Sequence, residues 1–160
     1  MRVWRIFRAE FSREPLSGLG ASLAGGRWNS RGREVIYTAD SLASAVLEVL
    51  VNLEGGLPAA EYAAAEIQVD DGIGLSRPPV NELPAGWDTV PAPADTAAFG
   101  DRWFDAGATV GLVVPSAVVR GHVNVILNPA HSDFRHVSLV DLQPFVFDQR
   151  LLYRFPPAGG

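Results

Sequence analysis

The residues of this 160-residue chain best suited to chemistry lie between Gly25 and Glu48. In Gly25-Gly26-Arg27-Trp28-Asn29, two glycines let the backbone approach a ligand closely or take a positive φ. The arginine that follows offers a planar fork matched to phosphate. Trp28 and Tyr37 carry flat faces on which a heteroaromatic ring can lie. Gly-Gly-Arg alone is a weak motif, and a plain turn with Trp28 in the core is the alternative. Glu48 is the acid of the group. Fixed in place, a carboxylate stabilises positive charge that develops on a reacting carbon.

These residues need elements to hold them. Val3–Arg8 alternates as a strand, residues 12–34 read as a long Gly/Ser/Arg-rich loop, and Val35–Thr38 reads as a short buried strand. Asp40 or Ser41 then caps a helix to about Leu53, ended by Gly55-Gly56. On that helix, at about 100° per residue, Leu42, Ala45, Val46, Val49, Leu50 and Leu53 form one apolar face. Leu47 and Val51 extend it, leaving a narrow stripe of Ser41, Ser44, Glu48 and Asn52. The pattern predicts a helix buried on most sides, where a carboxylate is costly unless satisfied. A lone acid in such a stripe is also commonly half of a structural Arg–Glu pair or the exposed edge of a core helix.

Further along, Tyr62–Val69 reads as a strand, Asp70–Pro93 as irregular, and Asp95–Ala106 as a helix with Asp95 as N-cap. Thr109–Val114, Val123–Leu127, Val137–Val140 and Phe145–Phe147 follow as strands. Trp87 and Trp103 are expected to pack the Pro-rich loop onto the core. The whole is an α+β pattern without regular βαβ alternation, read as one domain over residues 1–160.

Composition narrows the chemistry. With no cysteine and no lysine among 13 basic residues, thiolate, Schiff-base and P-loop lysine chemistry are excluded. Gly18-Leu19-Gly20 lacks the third glycine of a dinucleotide-binding fingerprint. His122, His131 and His136 have no metal-ligand spacing, so no metal is expected. The net charge of −5 divides into +5 over residues 1–33 (seven Arg, two Glu) and −10 over the remainder (six Arg, sixteen acids). An acidic chain is a poor general binder of nucleic acid, whereas a local basic cluster suits a small anion such as a dinucleotide. Arg2, Arg5, Arg8 and Arg13 are read as solvated arginines of an edge strand. No apolar run reaches the roughly 20 residues of a membrane span, and no signal peptide is evident, so a cytoplasmic protein is expected.

The spacing of Gly-Gly-Arg27-Trp-Asn, Tyr37-Thr-Ala and Leu47-Glu48-Val-Leu resembles the RES domain family, named for its Arg, Glu and Ser. The third letter matches Ser116 in Val113-Val114-Pro115-Ser116. Asn124-Val-Ile-Leu-Asn128-Pro-Ala-His131 and Phe147-Asp148-Gln-Arg150-Leu are also similar to the family's C-terminal segment, so the resemblance spans nearly the whole chain. It implies an ADP-ribosyltransferase-like α+β fold, a split β-sheet with flanking helices. It also implies a bacterial toxin that cleaves the nicotinamide–ribose bond of NAD+, passing ADP-ribose to water, phosphate or a protein. The implied partner is an antitoxin with a DNA-binding helical domain that closes the active site. On this resemblance, Arg27, Tyr37 and Glu48 are the expected catalytic residues. Arg27 anchors the pyrophosphate or a ribose, Tyr37 packs at the nicotinamide or ribose, and Glu48 faces the ribosyl cation. Trp28, Asn29, Ser44 and Ser116 complete the binding pocket, with Ser116 as a binding group and not a nucleophile. Many members carry His four residues after the Glu; Asn52 stands there in this chain, and whether it orients Glu48 or a water is left open. The alternatives are a catalytically silent antitoxin-binding module and a nuclease toxin, the latter disfavoured by the acidic, lysine-free composition.

Overall fold

The computed structural model describes residues 1–53 and 60–152. Its elements run β1 (Arg2–Arg8), α1 (Leu19–Ala24), β2 (Ile36–Ala39), α2 (Leu42–Val51), β3 (Tyr62–Val69), β4 (Leu75–Ser76), α3 (Ala94–Ala106), β5 (Gly111–Pro115), β6 (Val123–Leu127) and β7 (Val137–Phe145), with short 3-10 turns between some of them. The strands form one sheet in the order β4-β5-β6-β2-β1-β3-β7. Only the β4–β5 pair is parallel. Among the described residues no helix is long and apolar enough to cross a membrane.

The pairing in the middle of the sheet is uneven. β1 pairs with β3 along its whole length, from Arg2↔Gln68 to Arg8↔Tyr62. β2 pairs with β6 from Ile36↔Leu127 to Ala39↔Asn124. Between β1 and β2 the single register pair is Trp4↔Ala39. Beyond it the two strands diverge, and the residues after Trp4 face Tyr37 and Thr38 across an open wedge. This is the split sheet with flanking helices that the resemblance implies.

Apolar alternation explains how the layers are held. In β5 and β6, Val113, Val125 and Leu127 point into one core with Val3, Phe7, Ile36 and Ile67. Leu112, Val114 and Ile126 point the other way, onto Trp28, Val35 and the α3 residues Phe99, Trp103 and Phe104. α2 lays Ala45, with Leu42, Val46, Val49 and Leu50, on Ile6, Tyr62 and Ala64. α3 approaches the Trp28 loop so closely that a Cβ at Gly100 would lie 1.9 Å from the Trp28 carbonyl oxygen.

Several local expectations change. Residues 12–34 contain the six-residue helix α1, too short for an apolar period to declare it. The N-cap of α3 is Pro93, without a side-chain bond; Asp95 lies inside the first turn, where its charge suits the helix N-terminus. β7 runs unbroken to Phe145 through Pro144, which an edge strand tolerates because its missing N–H can face outward. Phe147 lies beyond that strand, buried edge-on against Tyr62 and Phe145. β1 is interior to the sheet, not an edge. Leu47 and Val51 are 38% and 57% exposed, so α2 has an open back and is not buried on most sides. The expected Gly55-Gly56 terminator lies outside the described residues.

Candidate active site

Glu48 sits two turns into α2, whose start is fixed by Ser41: its side chain accepts the Ser44 N–H at 3.1 Å. The carboxylate reaches across the wedge to the ends of two strands. Its Oε1 accepts from Ser116 Oγ at 2.8 Å and from Asn124 Nδ2 at 2.7 Å. Ser116 follows β5 and Asn124 lies on β6, opposite Ala39. Ser116 Oγ also accepts from the N–H groups of Val118 and Val119 at 3.1 and 2.9 Å. A hydroxyl has one proton and two lone pairs, so those two bonds commit the proton to Glu48. Asn124 is fixed in the same way: with Nδ2 on the carboxylate, its Oδ1 points elsewhere and is buried without a partner. The exchanged orientation would set oxygen against oxygen.

Glu48 stands where two lobes of one cleft meet, of about 910 and 380 Å³, together ample for a dinucleotide-sized ligand. Arg5, Tyr37, Asn52 and Asn124 line both lobes with it. The larger lobe extends past Gly26 and Arg27 to Val90, Ala117 and Val118. Among the described residues, Glu48 is the only acid lining the two lobes, against Arg5 and Arg27 in the larger and Arg5 and Arg8 in the smaller. The cleft therefore favours an anion along its length and a developing cation at one point.

Arg5 corrects the expectation of a solvated edge residue. It is half-buried, lies 5.0 Å from the Phe7 ring, and has no carboxylate partner among the described residues. Its Nη1 donates to the carbonyls of Pro15 and Ser17 at 2.8 and 2.9 Å. Burial pulls the guanidinium down to about 10, which leaves it protonated at neutral pH. Lining both lobes without a carboxylate partner among the described residues, its charge is available to an anionic ligand. Only its position in a strongly apolar alternating strand hinted at this in the sequence. The role of Asn124 emerges only from the fold, which sets its amide on the Glu48 carboxylate.

The remaining expected residues divide. Tyr37 lines the cleft, but its hydroxyl is engaged: it accepts the Trp28 N–H at 2.9 Å and donates to Asn29 Oδ1 at 2.8 Å. Burial pushes that phenol well above its ordinary value. Asn29 is buried, and its Nδ2 donates to the carbonyls of Ala21, Ser30 and Arg33; it is a loop-folding residue and lines neither lobe. Gly26 must be glycine, because a Cβ there would stand 2.6 Å from Tyr37 Oη. Trp28 lines the larger lobe, with its ring almost wholly buried between Trp87 and Phe99. Ser44 is buried beside Ser41 Oγ at 2.9 Å and lines neither lobe. Asn52 lines both lobes, yet its Nδ2 donates to the backbone carbonyl of Glu48 at 2.7 Å. It secures the last turn of α2 and does not touch the carboxylate. Asn128 forms a turn, accepting the Ala130 N–H.

Known proteins match this chain over nearly all its length. The family model described as RES domain matches residues 2–148. A protein of Yersinia enterocolitica serotype O:8 / biotype 1B named Toxin Res is 36% identical over 154 residues, covering 94% of this chain and 99% of that protein. The Prs ADP-ribosylating toxin of Sphingobium sp. strain YBL2 is 37% identical over 154 residues, covering 93% and 95%. Among solved structures, a chain in the crystal structure of the M. tuberculosis MbcT-MbcA toxin-antitoxin complex has a TM-score of 0.72, covering 90% of this chain and 83% of that one at 23% identity, a likeness of fold. The match to the family model and the agreement with curated relatives establish that this chain belongs to the RES domain family.

Proposed function

We propose that this chain is the toxin of a toxin–antitoxin pair that binds NAD+ in the cleft and cleaves its nicotinamide–ribose bond. The observation that carries the reading is Glu48, a carboxylate held by Ser116 and Asn124 at the junction of two lobes whose other charged groups, among the described residues, are arginines. Support also comes from relatives named as toxins, one as an ADP-ribosylating toxin.

In this reading the pyrophosphate lies along Arg5 and Arg27, and the nicotinamide ribose lies against Glu48. Heterolysis of the C1′–N bond sends the electron pair to nicotinamide, which leaves neutral. The ribosyl carbon becomes oxocarbenium-like, and Glu48 opposes that charge. Ser116 and Asn124 hold the carboxylate still, so no reorganisation is needed as charge develops. A protein side chain, phosphate or water then bonds to C1′ and releases a proton. Tyr37 acts as a wall at the ribose, its hydroxyl tying that wall to the Arg27 loop. A cognate antitoxin with a DNA-binding helical domain covers the cleft and suppresses turnover.

Incubating the protein, freed of any partner, with NAD+ tests this. Nicotinamide release is expected, and parallel reactions with phosphate and with cell-extract proteins identify the acceptor. Intact NAD+ in every reaction would refute the enzymatic reading and favour a silent antitoxin-binding module.

A further inference from the structure

Residues 84–93 run along the larger lobe between Leu83, which is buried, and the start of α3. The segment has no helix or strand and contributes Val90 and Ala92 to the cleft wall. At its base, Trp87 stacks on Trp28 with ring centres 6.3 Å apart. Its apex bonds mainly to itself: Thr89 Oγ1 donates to the carbonyls of Gly86 and Pro91. At its end, the Pro93 carbonyl accepts the Thr96 N–H as α3 begins; the other hydrogen bonds described between this strap and the rest of the protein come from one group. Arg27 Nη1 donates to the carbonyls of Trp87 and Thr89, at 2.5 and 2.9 Å.

A guanidinium has five N–H donors in a rigid plane. Arg27 uses one nitrogen on the strap, and no partner is described for Nε or Nη2. Arg5 repeats the arrangement on the other flank, with Nη1 on two carbonyls of the 15–17 loop. Arg27 and Arg5 thus each hold a flanking loop with one edge of the fork and retain donors for a ligand.

We infer that Arg27 is a positioning residue that couples anion binding in the cleft to strap 84–93, so that a bound pyrophosphate locks the strap as the outer wall of the site. The physical basis is the planarity of the guanidinium: fixing its free edge on an anion fixes the direction of the edge that holds the strap. A lysine in its place keeps the charge but has a single nitrogen on a flexible stem and cannot transmit orientation. The inference rests on reading the cleft as a dinucleotide site.

Hydrogen–deuterium exchange with ADP-ribose as the probe tests it, with calorimetry reporting binding. In the wild type, ADP-ribose should slow exchange across 84–92 by about ten-fold, the response of a local opening equilibrium to a newly fixed anchor. In Arg27→Lys, with weaker affinity expected and ADP-ribose raised until calorimetry shows the variant saturated, peptides over 36–48 should be protected while strap exchange stays as fast as without ligand. If ADP-ribose binds the wild type and protects 36–48 but leaves the strap unchanged, the coupling is refuted and the cleft reading stands. Strap protection retained in Arg27→Lys also refutes it. If ADP-ribose does not bind at all, both readings fall. The wild-type comparison decides without depending on whether a variant folds.

Discussion

Replacing Glu48 by glutamine separates charge from hydrogen bonding at the centre of the cleft. The two bonds described for its carboxylate both end on Oε1, from Ser116 at 2.8 Å and Asn124 at 2.7 Å. A glutamine can place its carbonyl oxygen at the same point and keep both donors satisfied. Its amide nitrogen then takes the Oε2 position, for which no protein partner is described. The fold, the helix and the cleft shape should survive, and what disappears is one negative charge. At about 4 Å from a full positive charge and an effective dielectric of about 20, that charge is worth about 4 kcal/mol. The ribosyl carbon carries only part of a charge in the transition state and the cleft is open to solvent, so about 3 kcal/mol is the working figure, close to a 100-fold rate loss. The assay is nicotinamide release from NAD+ at saturation, with ADP-ribose affinity measured beside it. Glu48→Gln should turn over about 100-fold more slowly while binding ADP-ribose as the wild type does. A variant within about three-fold of wild-type turnover, with unchanged affinity, would sink the electrostatic role of Glu48.

Three further outcomes follow from the surrounding geometry. Asn124→Leu removes the donor to Glu48 together with a buried oxygen that has no partner; the thermal midpoint should hold or rise while turnover falls about 10- to 100-fold, in line with a lost bond to a charged group. Arg5→Met removes a half-buried guanidinium that has no carboxylate partner among the described residues; denaturant unfolding should show little loss of stability, and calorimetry should show ADP-ribose affinity weaker by about ten-fold or more. Tyr37 has its phenol raised by burial, so its protonated form favours the folded state: that contribution is intact below the unfolded value of about 10 and is lost as pH rises beyond it. An alkaline titration followed near 295 nm should find Tyr37 un-ionised until the protein unfolds, and Tyr37→Phe should unfold at higher pH relative to its own neutral-pH stability.

What could be read along the chain was what neighbours in sequence decide. The 3.6-residue period and the Ser41 cap place α2 and set Glu48 on its polar stripe, because both depend on residues three or four apart. Short runs of strand-forming residues likewise place β1, β3 and β6. The glycine–arginine loop could be recognised by type, since only glycine permits the contact that Tyr37 makes at Gly26. The fate of individual polar groups was decided elsewhere. Trp28, Asn29 and Ser44 carry suitable chemistry for a pocket, yet packing against Trp87, loop carbonyls and Ser41 turns them into structure. Arg5 reads as a surface cation because its pattern cannot tell an edge strand from an interior one. Only the order β6-β2-β1-β3 encloses it, and only the divergence after Trp4↔Ala39 opens the cleft beside it. The bonds that fix Glu48 come from residues 68 and 76 positions away. Local periodicity chooses which face of a helix is polar; the strand order chooses what that face meets, and here it turns one carboxylate from a solvent-exposed edge into the centre of a site.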